Sequence, residues 1–170
     1  MRALRTGSVV AAAALTLAAC VGAAAAADGV TVRGGGVELV LPDGWSRIQP
    51  AGQTATDDPR TVIVIGTDGV RAIDSDCQVS SYRVPSDGAV VVVIGWRDAT
   101  GASPYLPLSG MKLRRGTFEC FADRGAVAQV TRHGLDYQVN VMVGDRASAA
   151  TIDDALAAAR SITPAQRRHD

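Results

Sequence analysis

The stretch Ala89–Trp96, which reads AVVVVIGW, decides how this 170-residue chain folds. It is the strongest β-strand signal in the sequence, because β-branched residues fill most of its positions. The apolar residues run without alternation, so both faces of the strand must be covered. We therefore predict a buried central strand, whose nucleus Val90–Ile94 would promote aggregation if it were exposed.

Three strands are predicted before this one. Val37–Leu41 is short and apolar, and the turn residues Pro42–Gly44 end it, with Trp45 following as a core anchor. Thr61–Ile65 is a β-branched run, and Cys77–Val84 is predicted as a strand that ends at a proline.

The sequence after the central strand predicts further strands and one helix. The strands are expected at Met111–Arg115, Thr117–Phe121, Ala126–Arg132 and Leu135–Val143, the last two joined as a hairpin across His133–Gly134. Apolar residues alternate with polar ones along Leu135–Val143, which indicates one buried and one polar face.

The helix signal lies near the C-terminus. Thr151 and Asp154 form a capping box, or Ser148 caps the helix one turn earlier. Apolar residues recur at helical spacing from Ile152, and Pro164 ends the pattern. Together these elements predict an α+β fold, an antiparallel β-sheet with the C-terminal α-helix packed on one face.

Residues 1–27 have the organisation of an export signal. Arg2 and Arg5 precede an apolar segment, Val9–Ala19, and small residues follow. Leu17–Cys20, which reads LAAC, resembles the bacterial lipobox, in which the cysteine receives a lipid and becomes the new N-terminus. Cleavage after Ala27, which would give a secreted protein, and an uncleaved anchor are the alternatives.

The predicted domain organisation follows from this reading. We expect a Gly/Ala-rich tether over 21–36, one globular domain over 37–163 and a frayed tail over 164–170. The lipobox predicts a mature chain that starts at Cys20 and is anchored by lipid on the extracytoplasmic face of the cell membrane.

Export also bears on the three cysteines. Cys20 is lipidated or removed, so Cys77 and Cys120 remain as an even pair in an oxidising compartment. We predict a disulfide between them. The loop it closes, of roughly 44 residues, corresponds to about 4 kcal/mol of chain-entropy stabilisation. Two buried free thiols are the alternative.

The motif LVLPDGW at Leu39–Trp45, with the strand-rich middle and the final hairpin and helix, resembles small exported actinobacterial lipoproteins. Some of these are similar to the PsbP-type α/β/α fold. The resemblance covers roughly residues 37–163 and implies no activity, because such families are mostly uncharacterised.

Charge and motifs exclude several classes of function. The chain has 17 basic and 17 acidic residues, so there is no basic excess for nucleic acid. We find no catalytic motif, cofactor motif or metal-ligand spacing, and His133 is expected in a turn. Lys112 and Arg114 are expected on one strand face and Arg115 on the other, as a solvated edge or an anion site.

The loop Arg97–Gly110 is the predicted partner-binding segment. It is long, its prolines restrict it, and Tyr105, Leu106 and Leu108 give it apolar anchors, with Trp96 at its base. The alternative is that these residues fold back over the sheet. Our functional hypothesis is a non-enzymatic binding or structural role in the cell envelope, with an unknown protein or lipid-like ligand as partner. A secreted soluble protein, or a hydrolase with an unrecognised site, is the alternative.

Overall fold

A computed structural model describes residues 29–51, 58–97, 106–118 and 121–166. Within these ranges the chain forms short strands and one α-helix, α1, which spans Ala149–Arg160. The strands are β1 (Thr31–Gly34), β2 (Val37–Val40), β3 (Ser46–Arg47), β4 (Arg60–Gly66), β5 (Arg71–Ala72), β6 (Tyr82–Arg83), β7 (Ala89–Gly95), β8 (Arg114–Phe118), β9 (Phe121–Arg132), β10 (Leu135–Val143) and β11 (Thr163–Pro164).

The largest sheet has six antiparallel strands in the order β3-β4-β7-β10-β9-β8. Strand β7 lies inside this sheet, paired with β4 on one side and β10 on the other. All seven of its residues are buried. The prediction of a central strand covered on both faces is therefore confirmed.

Alternate residues of β7 contribute to two different cores, as the two faces of a strand require. Val91 and Val93 belong to the larger apolar cluster, which also contains residues of β2, β4, β10 and α1. Val90 and Val92 belong to a smaller cluster with Val79, which comes from the segment between β4 and β7. The segment between β4 and β7 therefore covers the second apolar face of β7.

Of the two predicted starts of α1, the one at Ser148 is confirmed, whereas the capping box of Thr151 and Asp154 is wrong because Thr151 already lies inside the helix. Ser148 is the N-cap, and its side chain accepts a hydrogen bond from the Thr151 amide at 3.1 Å. Three alanines of the helix, Ala155, Ala158 and Ala159, are buried in the larger cluster. The described part of the chain thus consists mainly of antiparallel sheets with one C-terminal α-helix, an α+β architecture.

A second sheet has the order β1-β2-β11. Strand β1 lies within the range 21–36 that we expected to be a tether, so in the described residues paired structure is already present at Thr31, before Val37. The turn between β1 and β2 uses Gly35 and Gly36, both with positive φ. The Tyr137 hydroxyl donates to the Gly35 carbonyl at 2.6 Å and joins this turn to the six-stranded sheet.

The predicted strand over Cys77–Val84 is wrong for most of its length, because only Tyr82–Arg83 forms a strand. Serine side chains bind the local backbone instead. The Ser81 hydroxyl donates to the Cys77 carbonyl at 2.8 Å, and the Cys77 amide donates to the Ser75 hydroxyl at 3.2 Å. Such side-chain bonds compete with a strand ladder for the same backbone groups.

The hairpin of β9 and β10 has the predicted turn, with His133 and Gly134 at positive φ. The polar face of β10 differs from the expectation, since Gln138 and Asn140 are buried. The side-chain amide of Gln138 donates to the side-chain carbonyl of Asn140 at 3.1 Å, which satisfies part of their hydrogen-bonding capacity. Among the described residues, no helix has the length and apolar character needed to cross a membrane.

Candidate binding site

The outer side of β9 is where the described part of the chain opens a pocket. Strand β8 pairs with β9 only as far as Gly125, opposite Arg114. Farther along β9, the backbone amide of Gln129 donates to the Leu106 carbonyl at 2.8 Å. The segment after Leu106 and the start of β8 therefore flank β9 at two separate points, and Ala126 and Val127 lie between them.

A cavity of about 280 Å³ occupies this gap, and we call it the edge pocket. Its apolar wall consists of Leu106, Pro107, Ala126 and Val127, and glycines 110, 116 and 125 also line it. The volume lies just below the range of about 300–1,000 Å³ that is usual for small-molecule sites. It therefore suits a compact chemical group rather than a large ligand.

Three cationic side chains line the same pocket: Lys112, Arg114 and Arg115. All three residues are exposed, and none forms an ion pair or side-chain hydrogen bond with the described part of the chain. We expected Arg115 on the face opposite Lys112 and Arg114. All three residues nevertheless line the pocket, which lies at the start of β8, where its pairing with β9 begins.

A fourth cation stands next to this group. Arg124 of β9 is the direct cross-strand partner of Arg115. Directly opposed side chains in an antiparallel pair have Cβ atoms about 4.5–5.5 Å apart, and like charges in that position are destabilising. The sheet edge therefore concentrates positive charge at some cost to folding.

The rim of the pocket is tied to the core. Met111 is buried in the larger cluster, and its carbonyl accepts a hydrogen bond from Arg160 at 2.9 Å. The Met111 amide donates to the Leu108 carbonyl at 3.1 Å, which closes a short 3-10 turn over Leu108–Gly110. Because of these ties, the segment that leads into Lys112 has a fixed position.

Gly116 gives β8 an unusual backbone. Its φ is 128°, a conformation that side chains rarely adopt, and the space where its Cβ would project is open. Glycine inside a strand often marks a place where a ligand approaches the backbone closely. We expected Gly116 to separate two strands, whereas β8 continues through it.

The residues of the predicted binding loop are distributed between the pocket and the core. Leu106 lines the pocket and is 40% exposed. Leu108 is half-buried against the larger cluster. Trp96 packs against the smaller cluster and does not line the pocket. Tyr105 lies outside the described residues.

The structure describes only one of the three cysteines. Cys77 is partly buried and packs against the smaller cluster. Cys20 and Cys120 lie outside the described residues, as does the export signal at 1–27. Lipidation of Cys20 and the disulfide between Cys77 and Cys120 therefore stay predictions.

The lining residues that the structure describes supply positive charge and apolar surface but no carboxylate, imidazole, hydroxyl or thiol. Over the same part of the chain, no three His, Cys, Asp or Glu side chains are grouped as metal ligands would be. An arrangement of this kind can hold an anion, because its cationic side chains supply N–H donors.

The pocket brings together two features that the sequence analysis treated separately, the loop ending at Gly110 and the cations after Met111. It also includes Ala126 and Val127, which carried no functional signal in the sequence, because both were expected simply as strand residues. Their role depends on how far β8 extends along β9. In comparisons with known proteins, no family model matches the chain, and no match to a curated protein was found.

Proposed function

We propose that this chain is an exported domain of the cell envelope, held to the extracytoplasmic face of the membrane by a lipid on Cys20, and that its role is to bind a ligand in the edge pocket without catalysis. The observation that carries the binding role is that Lys112, Arg114 and Arg115 line one cavity together with apolar residues and have no ion-pair or side-chain hydrogen-bond partner within the described part of the chain.

The fold supports this role by holding the pocket on a stable base. In our proposal α1 packs on one face of the six-stranded sheet, and the segment between β4 and β7 covers the other. The buried helix residues Ala155 and Ala159 share a cluster with Val91 and Val141. The Arg160 bond to the Met111 carbonyl then connects the end of α1 to the pocket rim.

The location rests on the sequence of the N-terminus. LAAC at Leu17–Cys20 stands at the end of an apolar segment, as in a lipobox. The full chain, expressed with its own signal in a bacterium that processes lipoproteins, should sediment with membranes and have the mass of a lipidated chain starting at Cys20. Cys20→Ala should abolish that product. A soluble mature chain that starts at Asp28 would overturn the anchor.

The binding role is tested by photo-crosslinking on the natively processed protein. A benzophenone amino acid at Leu106 stands on the pocket wall. The matched control is the same amino acid at Arg47, which is exposed on β3 at the opposite edge of the sheet. We expect a crosslinked ligand at position 106 and none at position 47. Equal labelling at both positions, or none at either, would contradict a binding function for the pocket.

A further inference from the structure

Resting on that proposed function, we propose that the ligand of the edge pocket is an anionic phospholipid, with its phosphate held by Arg114, Arg115 and Lys112 and the adjoining apolar part of the lipid lying against Leu106 and Val127.

Lys112, Arg114 and Arg115 favour an anion that has several oxygen acceptors. Arginine presents planar pairs of N–H groups that match phosphate oxygens, and lysine adds a point charge. The opposed pair of Arg115 and Arg124 supports the same inference, because an anion bound beside Arg115 would offset part of the repulsion between the two arginines. Neither arginine has a hydrogen-bond or ion-pair partner through its side chain within the described part of the chain.

The backbone of β9 adds a further donor. The backbone N–H of Gln129 points away from β10, toward Leu106. Since amide directions repeat every second residue along a strand, the Val127 amide also points outward, into the gap between Leu106 and β8. A phosphate oxygen in the pocket can accept from that N–H group.

The apolar wall indicates that the anion has an apolar part attached. Leu106, Pro107, Ala126 and Val127 line the pocket beside the cations, and Leu106 remains 40% exposed although it is a large aliphatic residue. Inorganic phosphate would leave that surface uncovered. A phospholipid covers it with the glycerol backbone and the first carbons of its chains, and the volume of about 280 Å³ fits a group of that size.

An acidic peptide added as a strand to β8 is the competing occupant. The backbone of β8 argues against it, since the φ of 128° at Gly116 departs from strand geometry in the middle of the edge. Charged residues on an edge strand also oppose pairing with another strand. The structure thus favours a headgroup that enters the pocket over a peptide strand that pairs with β8.

The test is native mass spectrometry of the natively processed full chain in a neutral detergent. The probes are phosphatidylglycerol, phosphatidylcholine with the same acyl chains, inorganic phosphate and a Glu-rich peptide. We expect phosphatidylglycerol to bind at least about tenfold more tightly than phosphatidylcholine, which carries the same phosphate without net charge, and more tightly than inorganic phosphate. Arg114→Gln and Arg115→Gln should each weaken phosphatidylglycerol binding about tenfold, whereas Arg47→Gln should leave it unchanged.

Three results would overturn the inference. They are equal binding of both lipids, binding of inorganic phosphate as tight as that of phosphatidylglycerol, and binding of the peptide alone. Lys112→Gln provides a variant outside the strand ladder should an arginine variant fail to fold, which a thermal melt will show. If phosphatidylglycerol fails to bind while the crosslink at Leu106 persists, the pocket still binds a ligand and only the lipid assignment is lost.

Discussion

Arg115 of β8 lies directly opposite Arg124 of β9, so two cations face each other at the edge of the six-stranded sheet. A surface optimised for stability alone would place an acidic residue at one of these positions. This pair therefore makes the binding proposal accessible to measurements of folding.

Arg115→Thr should stabilise the ligand-free protein by about 0.2–1 kcal/mol, because it removes the like-charge contact and introduces a good strand former. The gain should shrink in high salt, which screens exposed charges. Urea unfolding at low and high ionic strength measures both effects. Arg47→Thr on β3 is the control, since its cross-strand partner is the apolar Ile65. A destabilised Arg115→Thr protein would show that Arg115 has an unrecognised stabilising contact.

Tyr137→Phe should lower the free energy of unfolding by about 0.5–1.5 kcal/mol, because it removes the hydrogen bond to the Gly35 carbonyl. Burial raises the pKa of Tyr137 above its ordinary value, and the positive charge of Arg60 offsets part of that rise. The direction in which stability changes with pH follows from the protonation states of Tyr137 in the folded and unfolded protein. Below about pH 10 the tyrosine is neutral in both folded and unfolded protein, and its contribution is constant.

Above about pH 10 the unfolded chain releases this proton more readily, so stability falls as pH rises toward the higher folded-state pKa. The pKa of Tyr82 is also raised by burial, and its hydrogen bond from the Ala51 backbone amide offsets only part of that rise. The loss of stability between pH 9 and pH 11, measured by urea unfolding, should therefore be smaller in Tyr137→Phe but not absent. An identical loss in both proteins would mean that Tyr137 does not titrate differently on folding.

The two isoleucines Ile65 and Ile73 provide a matched test of the core. Ile65 is fully buried in the larger cluster, and Ile73 is 36% exposed. Ile65→Ala should cost about 2–5 kcal/mol, since it leaves a cavity next to β7. Ile73→Ala should cost less than about 0.5 kcal/mol, as is usual for exposed positions. Similar losses for the two variants, measured by chemical denaturation, would refute this assignment of the core.

Cys77 and Cys120 should be joined in the natively exported protein. Thiol labelling after denaturation without reductant should find no free cysteine in the mature domain, and Cys77→Ser and Cys120→Ser should each expose one reactive thiol. Each variant should lose about 2–4 kcal/mol of stability, the usual contribution of a native disulfide. Two labelled thiols in the unmodified protein would instead support the alternative of free cysteines.

The central elements of the fold were predictable because their signals are local. AVVVVIGW predicted a strand covered on both faces, and the alternation in Leu135–Val143 predicted strand β10 with its correct bounds. The helix start was predicted from the capping pattern, with Ser148 as one of two candidates. Each of these signals depends on residues that are close in the sequence, and so the prediction did not require knowledge of the tertiary fold.

The structure of the segment between β4 and β7, which covers the second face of β7, could not be predicted in this way. Ser75, Ser81 and the backbone of Cys77 form a local network in a segment whose composition resembles a strand. Strand β1 was also missed, because Thr31–Gly34 is short, is followed by two more glycines and pairs only because β2 provides a partner. Both outcomes depend on hydrogen-bond partners that a strand pattern does not reveal.

The pocket was predictable only in part. Lys112, Arg114 and Leu106 were each recognised as candidates for binding. Their proximity depends on the end of the β8–β9 pairing and on the bond between Gln129 and Leu106, which are long-range contacts. For that reason, the sequence indicated the residues but not their assembly into one site.

The most direct test of the binding site is a crystal structure of the natively processed protein with a short-chain phosphatidylglycerol. We predict the lipid phosphate in the edge pocket, with oxygens about 3 Å from the guanidinium nitrogens of Arg114 and Arg115 and with the glycerol carbons against Leu106. A lipid bound elsewhere, or an empty pocket at saturating lipid with the protein intact, would contradict the assignment of this pocket as the phospholipid site.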